Sequence, residues 1–340
     1  MGESGGRADR EGGGLLGPVQ AVDYHTAGEP FRIVTGGVPP LQGRTILEKR
    51  RFAAERLDEV RRLLVYEPRG HADMYGCHVT EPEDDGADLG VVFFHNAGYS
   101  TACGHGTIAL VTWALESGRL AVGEGEQRVV VDVPSGRLET WARVRNGRVT
   151  AVRFRNVPSF VVARDLDAAG LHADVSFGGA FYGSVEAPFP VEPGNLPRFI
   201  ELGREVKRDL EAQRKFVHPL EPELRDVYGV TFWEAEEAGP PLVQRNVTVF
   251  ADGEVDRSPC GSGTSARLAL LDADGELARG GELLHRGILG TEFQARVVGD
   301  AEVDGTPAVV TDVEGSAHYT GRHEFALDPA DPLGAGFLLR

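Results

Sequence analysis

From about Val19 the chain alternates short runs rich in β-branched and aromatic residues with glycine and proline turns. VQAVDYHTAG, FRIVTGG and LGVVFFHNAGYS follow this rhythm and predict strands. A helical period takes over between Leu47 and Leu64, with charged residues on its exposed side. In TIALVTWALESG the apolar residues Ile108, Leu110, Val111, Trp113, Ala114 and Leu115 surround the whole circumference, which marks a buried helix that Gly118 ends. The second half repeats the plan. RVVVDVPSG, RLETWARV, RVTAVRFRNVPSFVV and LVQRNVTVFADG predict strands, and Pro197 to Lys215 a helix. DRSPCGSGTSARLALLDADGEL then delivers a second helix directly after a cysteine. CGHGTIAL and CGSGTSARLAL occupy like places in the two halves, a short internal repeat. The pattern predicts an α/β protein of two similar domains with a cleft between them. The first spans residues 17–157 and is completed by a returning segment at about 320–340, and the second spans 158–319.

Composition adds the ends and the exclusions. At 340 residues and 41% apolar, the chain is long enough for two cores. Residues 1–16, beginning MGESGGRADREGGG, hold too little apolar surface to offset the entropy of ordering and predict a disordered tail. No apolar stretch approaches the roughly 18 residues of a membrane span and no signal-peptide core opens the chain, so a soluble, cytoplasmic protein without a membrane partner is expected. A net charge of -17 argues against nucleic acid as a partner. Three cysteines, at positions 77, 103 and 260, cannot build a disulfide framework and are expected as free thiols in a reducing compartment.

Two of those cysteines stand where chemistry is plausible. The first N–H groups of a helix lack internal partners and carry about half a positive charge, so a helix start binds anions and lowers the pKa of a thiol placed there. Cys103 and Cys260 are both expected to gain thiolate character in this way. A lone free cysteine is usually a small core hydrophobe, but two in the same setting, each followed by glycine that lets a ligand approach the backbone, point to a site. Gly261, Gly263 and Ala266 match the dinucleotide pattern G-x-G-x-x-A, yet ADGEVDRSPC separates strand from glycine and removes that reading. Cys77 with His78 and Cys103 with His105 lack the spacing of a metal site, so no metal is expected and Cys77 is taken as structural.

With these motifs in view, the chain resembles the proline racemase family, which includes hydroxyproline 2-epimerases and trans-3-hydroxyproline dehydratases. DYHTAGEPFRIV from Asp23, PRGHADMYG from Pro68, HNAGYSTACGHG from His95 and DRSPCGSGTSA from Asp256 carry the likeness. The resemblance implies an α/β fold of two similar domains, each a barrel-like sheet around a central helix as in diaminopimelate epimerase, with the active site in the interdomain cleft. It implies that Cys103 and Cys260 are the catalytic pair and that backbone N–H groups of Gly104, His105, Gly261 and Ser262 hold the substrate carboxylate. It further implies that His105 and Asp256 meet the substrate amine and that Phe250 walls the pocket. A homodimer, an imino-acid substrate and no cofactor, neither metal nor pyridoxal phosphate, belong to the same expectation.

The chemistry is coherent with that assignment. Inverting an α-carbon needs a base on one face and an acid on the other, and a thiolate and a thiol supply both and exchange roles with the opposite enantiomer. Charge developing on the carboxylate is stabilised by two helix amino ends. His25, Glu29 and His71 are expected as structural support. Dehydratases of the resembled family commonly carry serine or threonine in place of one cysteine, and this chain keeps both, so racemisation or 2-epimerisation of proline or a hydroxyproline is expected over dehydration. Gly106 is expected to leave room for a ring hydroxyl. The alternatives are trans-3-hydroxy-L-proline dehydration by the same α-proton abstraction, and a non-catalytic imino-acid binding protein.

Overall fold

A computed structural model describes residues 17–339, so the tail expected over residues 1–16 lies outside the described residues. The first half runs β1 (Val19–Thr26), β2 (Glu29–Gly36), α1 (Ile46–Arg56), α2 (Asp58–Val65), β3 (Tyr75–Thr80), β4 (Leu89–His95), α3 (Gly104–Glu116), β5 (Gly125–Val133), β6 (Gly136–Arg145) and β7 (Arg148–Arg155). The second half runs β8 (Phe160–Ala168), β9 (Leu171–Phe177), β10 (Phe181–Glu186), α4 (Leu196–Gln213), β11 (Val227–Glu237), β12 (Leu242–Phe250), β13 (Glu254–Asp256) and α5 (Gly261–Ala273). It ends with β14 (Leu283–Arg286), β15 (Glu292–Val303), β16 (Thr306–Gly315) and β17 (Ala317–Phe325).

The fold is mixed α/β, and its two central helices organise it. α3 has no polar face and is buried from Gly104 to Leu115, as its all-round apolar pattern requires. It packs against β1, β2, β3, β6, β7 and β17. α5, buried from Gly261 to Leu271, packs in the same manner against β8, β9, β10, β15 and β16. The strands form one hydrogen-bonded system, and β7 pairs with β16 where the halves join. There Arg153 and Arg155 donate to the buried Asp312 at 2.7 and 2.9 Å. β17 returns antiparallel to β1, from Val19 opposite Phe325 to Thr26 opposite Ala317. Further on, Glu67 and Phe337 exchange backbone hydrogen bonds of 3.0 Å.

Two local expectations change. The helical period from Leu47 to Leu64 is two helices broken at Leu57, whose φ of -129° leaves the helical region while its side chain stays buried. A capping box of Thr45 and Glu48 starts the first of them. Before α5, β3, β9, β10, β11 and β13 lie outside the runs assigned to strands. Glycine inside β3, β10 and β11 interrupts their apolar alternation.

Candidate active site

The two halves deliver their cysteines in the same way. β4 ends at His95 and a short loop leads to Cys103 at the start of α3, while β13 ends at Asp256 and Arg257–Pro259 lead to Cys260 at the start of α5. The two helix starts touch. A Cβ on Gly104 would lie 2.6 Å from Gly261 Cα, and one on Gly261 would lie 2.8 Å from Gly104 Cα. Only glycine at both places permits this contact. Among the described residues, the N–H groups of Gly104, His105, Gly261 and Ser262 have no hydrogen-bond acceptor, so both helix ends present free donors at one point.

One small cavity is lined by all eight residues singled out in the sequence: Cys103, Gly104, His105, Phe250, Asp256, Cys260, Gly261 and Ser262. Cys103 Sγ accepts from Gly106 N at 3.3 Å and lies 3.4 Å from His105 Nε2. His105 Nδ1 is 3.7 Å from Asp256 Oδ2, and Thr26 Oγ1 donates to the His105 carbonyl at 2.9 Å. Asp256 Oδ1 accepts from Ser258 N and Oγ at 2.8 and 2.6 Å. Across the cavity, Cys260 Sγ lies 3.8 Å from the Tyr182 hydroxyl, which pairs with Ser262 Oγ at 2.7 Å. Phe250 stacks on Tyr228 at 5.4 Å between centroids.

Ala102 and three tyrosines complete the wall, and none of the tyrosines was singled out from the sequence. Tyr75 OH pairs with Tyr228 OH at 2.9 Å, joining the two halves, and also donates to Ser100 Oγ. A recurring dipeptide could have exposed them: Tyr75-Gly76, Tyr182-Gly183 and Tyr228-Gly229. In each strand the tyrosine faces the cavity while the glycine, on the opposite face, accepts close packing. A Cβ on Gly76, Gly183 or Gly229 would come within 2.6, 2.9 and 2.9 Å of neighbouring atoms.

The electrostatic expectation for the thiols fails. Burial pushes the Cys103 thiol well above its usual value, and the Asp256 and Glu29 carboxyls push the same way against the Gly106 N–H. Burial, then Asp256, pushes Cys260 up to about 12. The helix ends do act on the sulfurs, but desolvation outweighs them in a cavity whose free volume is about 10 Å³. That volume is about the least that holds a single water molecule. A groove of about 840 Å³ leads from the surface to Ser100 and Tyr228, and the Arg51–Glu223 ion pair spans it.

The expectation for Gly106 also fails. A Cβ there would meet Phe31 Cε2 at 2.4 Å and Cys103 Sγ at 2.6 Å, so the space is already filled by Phe31. Glycine at 106 is a packing requirement, and it opens no room towards the cavity. Cys77 is fully buried in the core of the first half. Glu29 is fully buried and accepts from Arg257 N at 2.7 Å beside Asp256, His25 accepts from Gly28 N at 3.2 Å, and His71 is exposed. Among the described residues no group of three or more His, Cys, Asp or Glu is arranged to hold a metal ion, and no helix is long and apolar enough to cross a membrane.

Two half-sites that meet at paired helix starts, each with a buried thiol, define a class of two-lobed α/β protein. The chain belongs to the proline racemase family, whose profile matches residues 21–338. A 3-hydroxyproline 2-epimerase of Burkholderia multivorans is 46% identical over 330 residues, covering 95% of this chain and 98% of that protein. A trans-3-hydroxy-L-proline dehydratase of Bacillus thuringiensis is 44% identical over 325 residues, covering 94% and 97%. Among solved structures, a hydroxyproline epimerase of Agrobacterium vitis with bound trans-4-hydroxy-L-proline superposes with a TM-score of 0.89 at 32% identity, covering 95% and 96%.

Proposed function

We propose that this protein inverts the α-carbon of a hydroxyproline, with 3-hydroxyproline as substrate, by a two-thiol acid and base mechanism without a cofactor. The observation that supports it most is the pair of thiols, Cys103 and Cys260, at two touching helix starts on one small cavity. The ring lies between the two sulfurs and its carboxylate takes the free N–H groups of Gly104, His105, Gly261 and Ser262. His105 and Asp256 meet the ring nitrogen. One sulfur, as thiolate, removes the α-proton, and the other, as thiol, protonates the opposite face. The two helix ends stabilise negative charge moving onto the carboxylate, worth several kcal/mol in a site closed to water. The thiols rest protonated in the closed, unliganded site because burial disfavours their charge. The base therefore ionises while the groove is open and water still solvates it.

The substrate class rests on two supports. Relatives at 44% and 46% identity carry 3-hydroxyproline in their names, and the wall offers the hydroxyls of Tyr75, Tyr182 and Tyr228, which suit a ring bearing its own hydroxyl. Dehydration is the second reading, because the same carbanion loses a 3-hydroxyl as water and a relative bears that name. Two thiols favour inversion, since each face has a group able to return a proton. We further propose a cytoplasmic protein acting as a homodimer, with the two domains and the site residues as assigned from the sequence. Incubation with trans-3-hydroxy-L-proline, trans-4-hydroxy-L-proline and L-proline, followed by chiral chromatography and ultraviolet detection of pyrroline, separates the cases. Epimer from the 3-hydroxy substrate is the expected product; pyrroline alone would turn the assignment to dehydration, and no product from any of the three would reject both.

A further inference from the structure

Glu29 is a buried acid that the mechanism above does not use. It opens β2, is fully enclosed, and faces the segment that carries Asp256 to Cys260. Its Oε2 accepts from Arg257 N at 2.7 Å, while its Oε1 has no hydrogen-bond partner. Around it gather two further buried carboxyls, Asp73 and Asp256, and Arg257 lies 3.1 Å from Asp73 but 3.7 Å from Glu29. A buried carboxyl beside other carboxyls is disfavoured as the anion, and Glu29, with one oxygen that accepts from no donor, is the member of the group placed to hold a proton.

We infer that Glu29 is carried as a neutral carboxylic acid, with the proton on Oε1, and serves as a positioning residue for the Arg257 turn while adding no negative charge beside Cys103. Burial and the Asp256 carboxylate both push Glu29 well above the usual carboxyl range, with Asp73 acting the same way and Arg257 opposing. Its consequence for catalysis rests on the function proposed above. Asp256 and Glu29 both act to hold Cys103 as thiol, so a neutral Glu29 removes one of the two carboxylate obstacles to forming the thiolate base. Oε2 meanwhile still accepts the Arg257 N–H and keeps Asp256 next to His105.

The test needs no turnover, so its failure and that of the proposed function are separable. Infrared difference spectra of wild type minus Glu29→Gln at pH 8 are expected to show the carbonyl band of a protonated carboxylic acid, shifting in deuterated water. A difference holding only carboxylate bands would overturn the inference. The second readout is alkylation of Cys103 against pH in the Cys260→Ser background, followed by peptide mass. A neutral Glu29 predicts that adding Glu29→Gln leaves the midpoint within a few tenths of a pH unit. A midpoint lower by about one unit would mean that a negative charge had been removed, and would contradict it.

Discussion

The two half-sites share a plan and differ in how they hold the sulfur. Cys103 sits in extended backbone, φ -156°, and its Sγ accepts from Gly106 N as a helix cap. Cys260 sits at φ +63°, a region that a residue with a side chain rarely occupies, and its neighbour is the Tyr182 hydroxyl. His105 and the buried carboxyls of Asp256 and Glu29 act on the first sulfur; hydroxyls, with the same Asp256, act on the second. An internal repeat thus conserves the placement of a thiol at a helix start while letting each face acquire its own electrostatics. Strained backbone at a functional residue commonly marks a position held by its surroundings for a purpose.

The largest test of that comparison removes one sulfur at a time. Cys103→Ser and Cys260→Ser are each expected to lose inversion by at least about 10³-fold, read by chiral chromatography, because a hydroxyl is a poor base and acid at this task. Substantial inversion in either variant would show that the half-sites do not act as a pair. Next comes the contact between helix starts. Gly104→Ala forces the helices apart, and a displacement near 1 Å is expected to lower kcat/KM by about 10²-fold with the fold retained by circular dichroism.

Titration gives a smaller effect. Cys260 is raised from an unfolded value of about 8.5 to about 12 in the folded protein. The folded state therefore binds this proton more tightly, and the associated stability is complete below the unfolded value and declines as pH rises towards the folded one. Between pH 8.5 and 10, wild type is expected to lose stability faster than Cys260→Ser by about 1 kcal/mol per pH unit, measured by denaturant titration. Equal slopes would contradict the raised thiol. The smallest effect is conformational. At 260 glycine is expected to be more stable than alanine by about 1 kcal/mol, whereas at 103 alanine exceeds glycine by about 0.5–1 kcal/mol. The same order at both positions would erase the difference between the two backbones.

The placement of a thiol at each helix start was legible because it is local: a cysteine, a glycine and an apolar period follow one another in both halves. Of the twelve residues that line the cavity, the eight named from the sequence come almost wholly from those two segments, Phe250 excepted, and the resemblance supplied the roles of His105, Phe250 and Asp256. Tyr75, Tyr182 and Tyr228 were not legible by the same route, because each is a single residue on a separate strand and only the pairing of β3, β10 and β11 with their neighbours turns them to one place. The thiol shift was misjudged for a related reason. A helix dipole can be read from sequence, whereas the depth of burial that outweighs it is a property of the closed lobes. Gly106 failed likewise, since its neighbour Phe31 lies 75 residues away in the chain. The break at Leu57 is of the same kind, a buried side chain overriding a helical period.

The central claim is that the sulfurs of Cys103 and Cys260 attack one ring from opposite faces. The most direct measurement is the early time course in deuterated water with one enantiomer of 3-hydroxyproline at C2. Deuterium is predicted at the α-carbon of the inverted product while recovered substrate keeps its hydrogen. Deuterium appearing in recovered substrate as fast as inversion proceeds would show one group serving both faces, and would contradict the account.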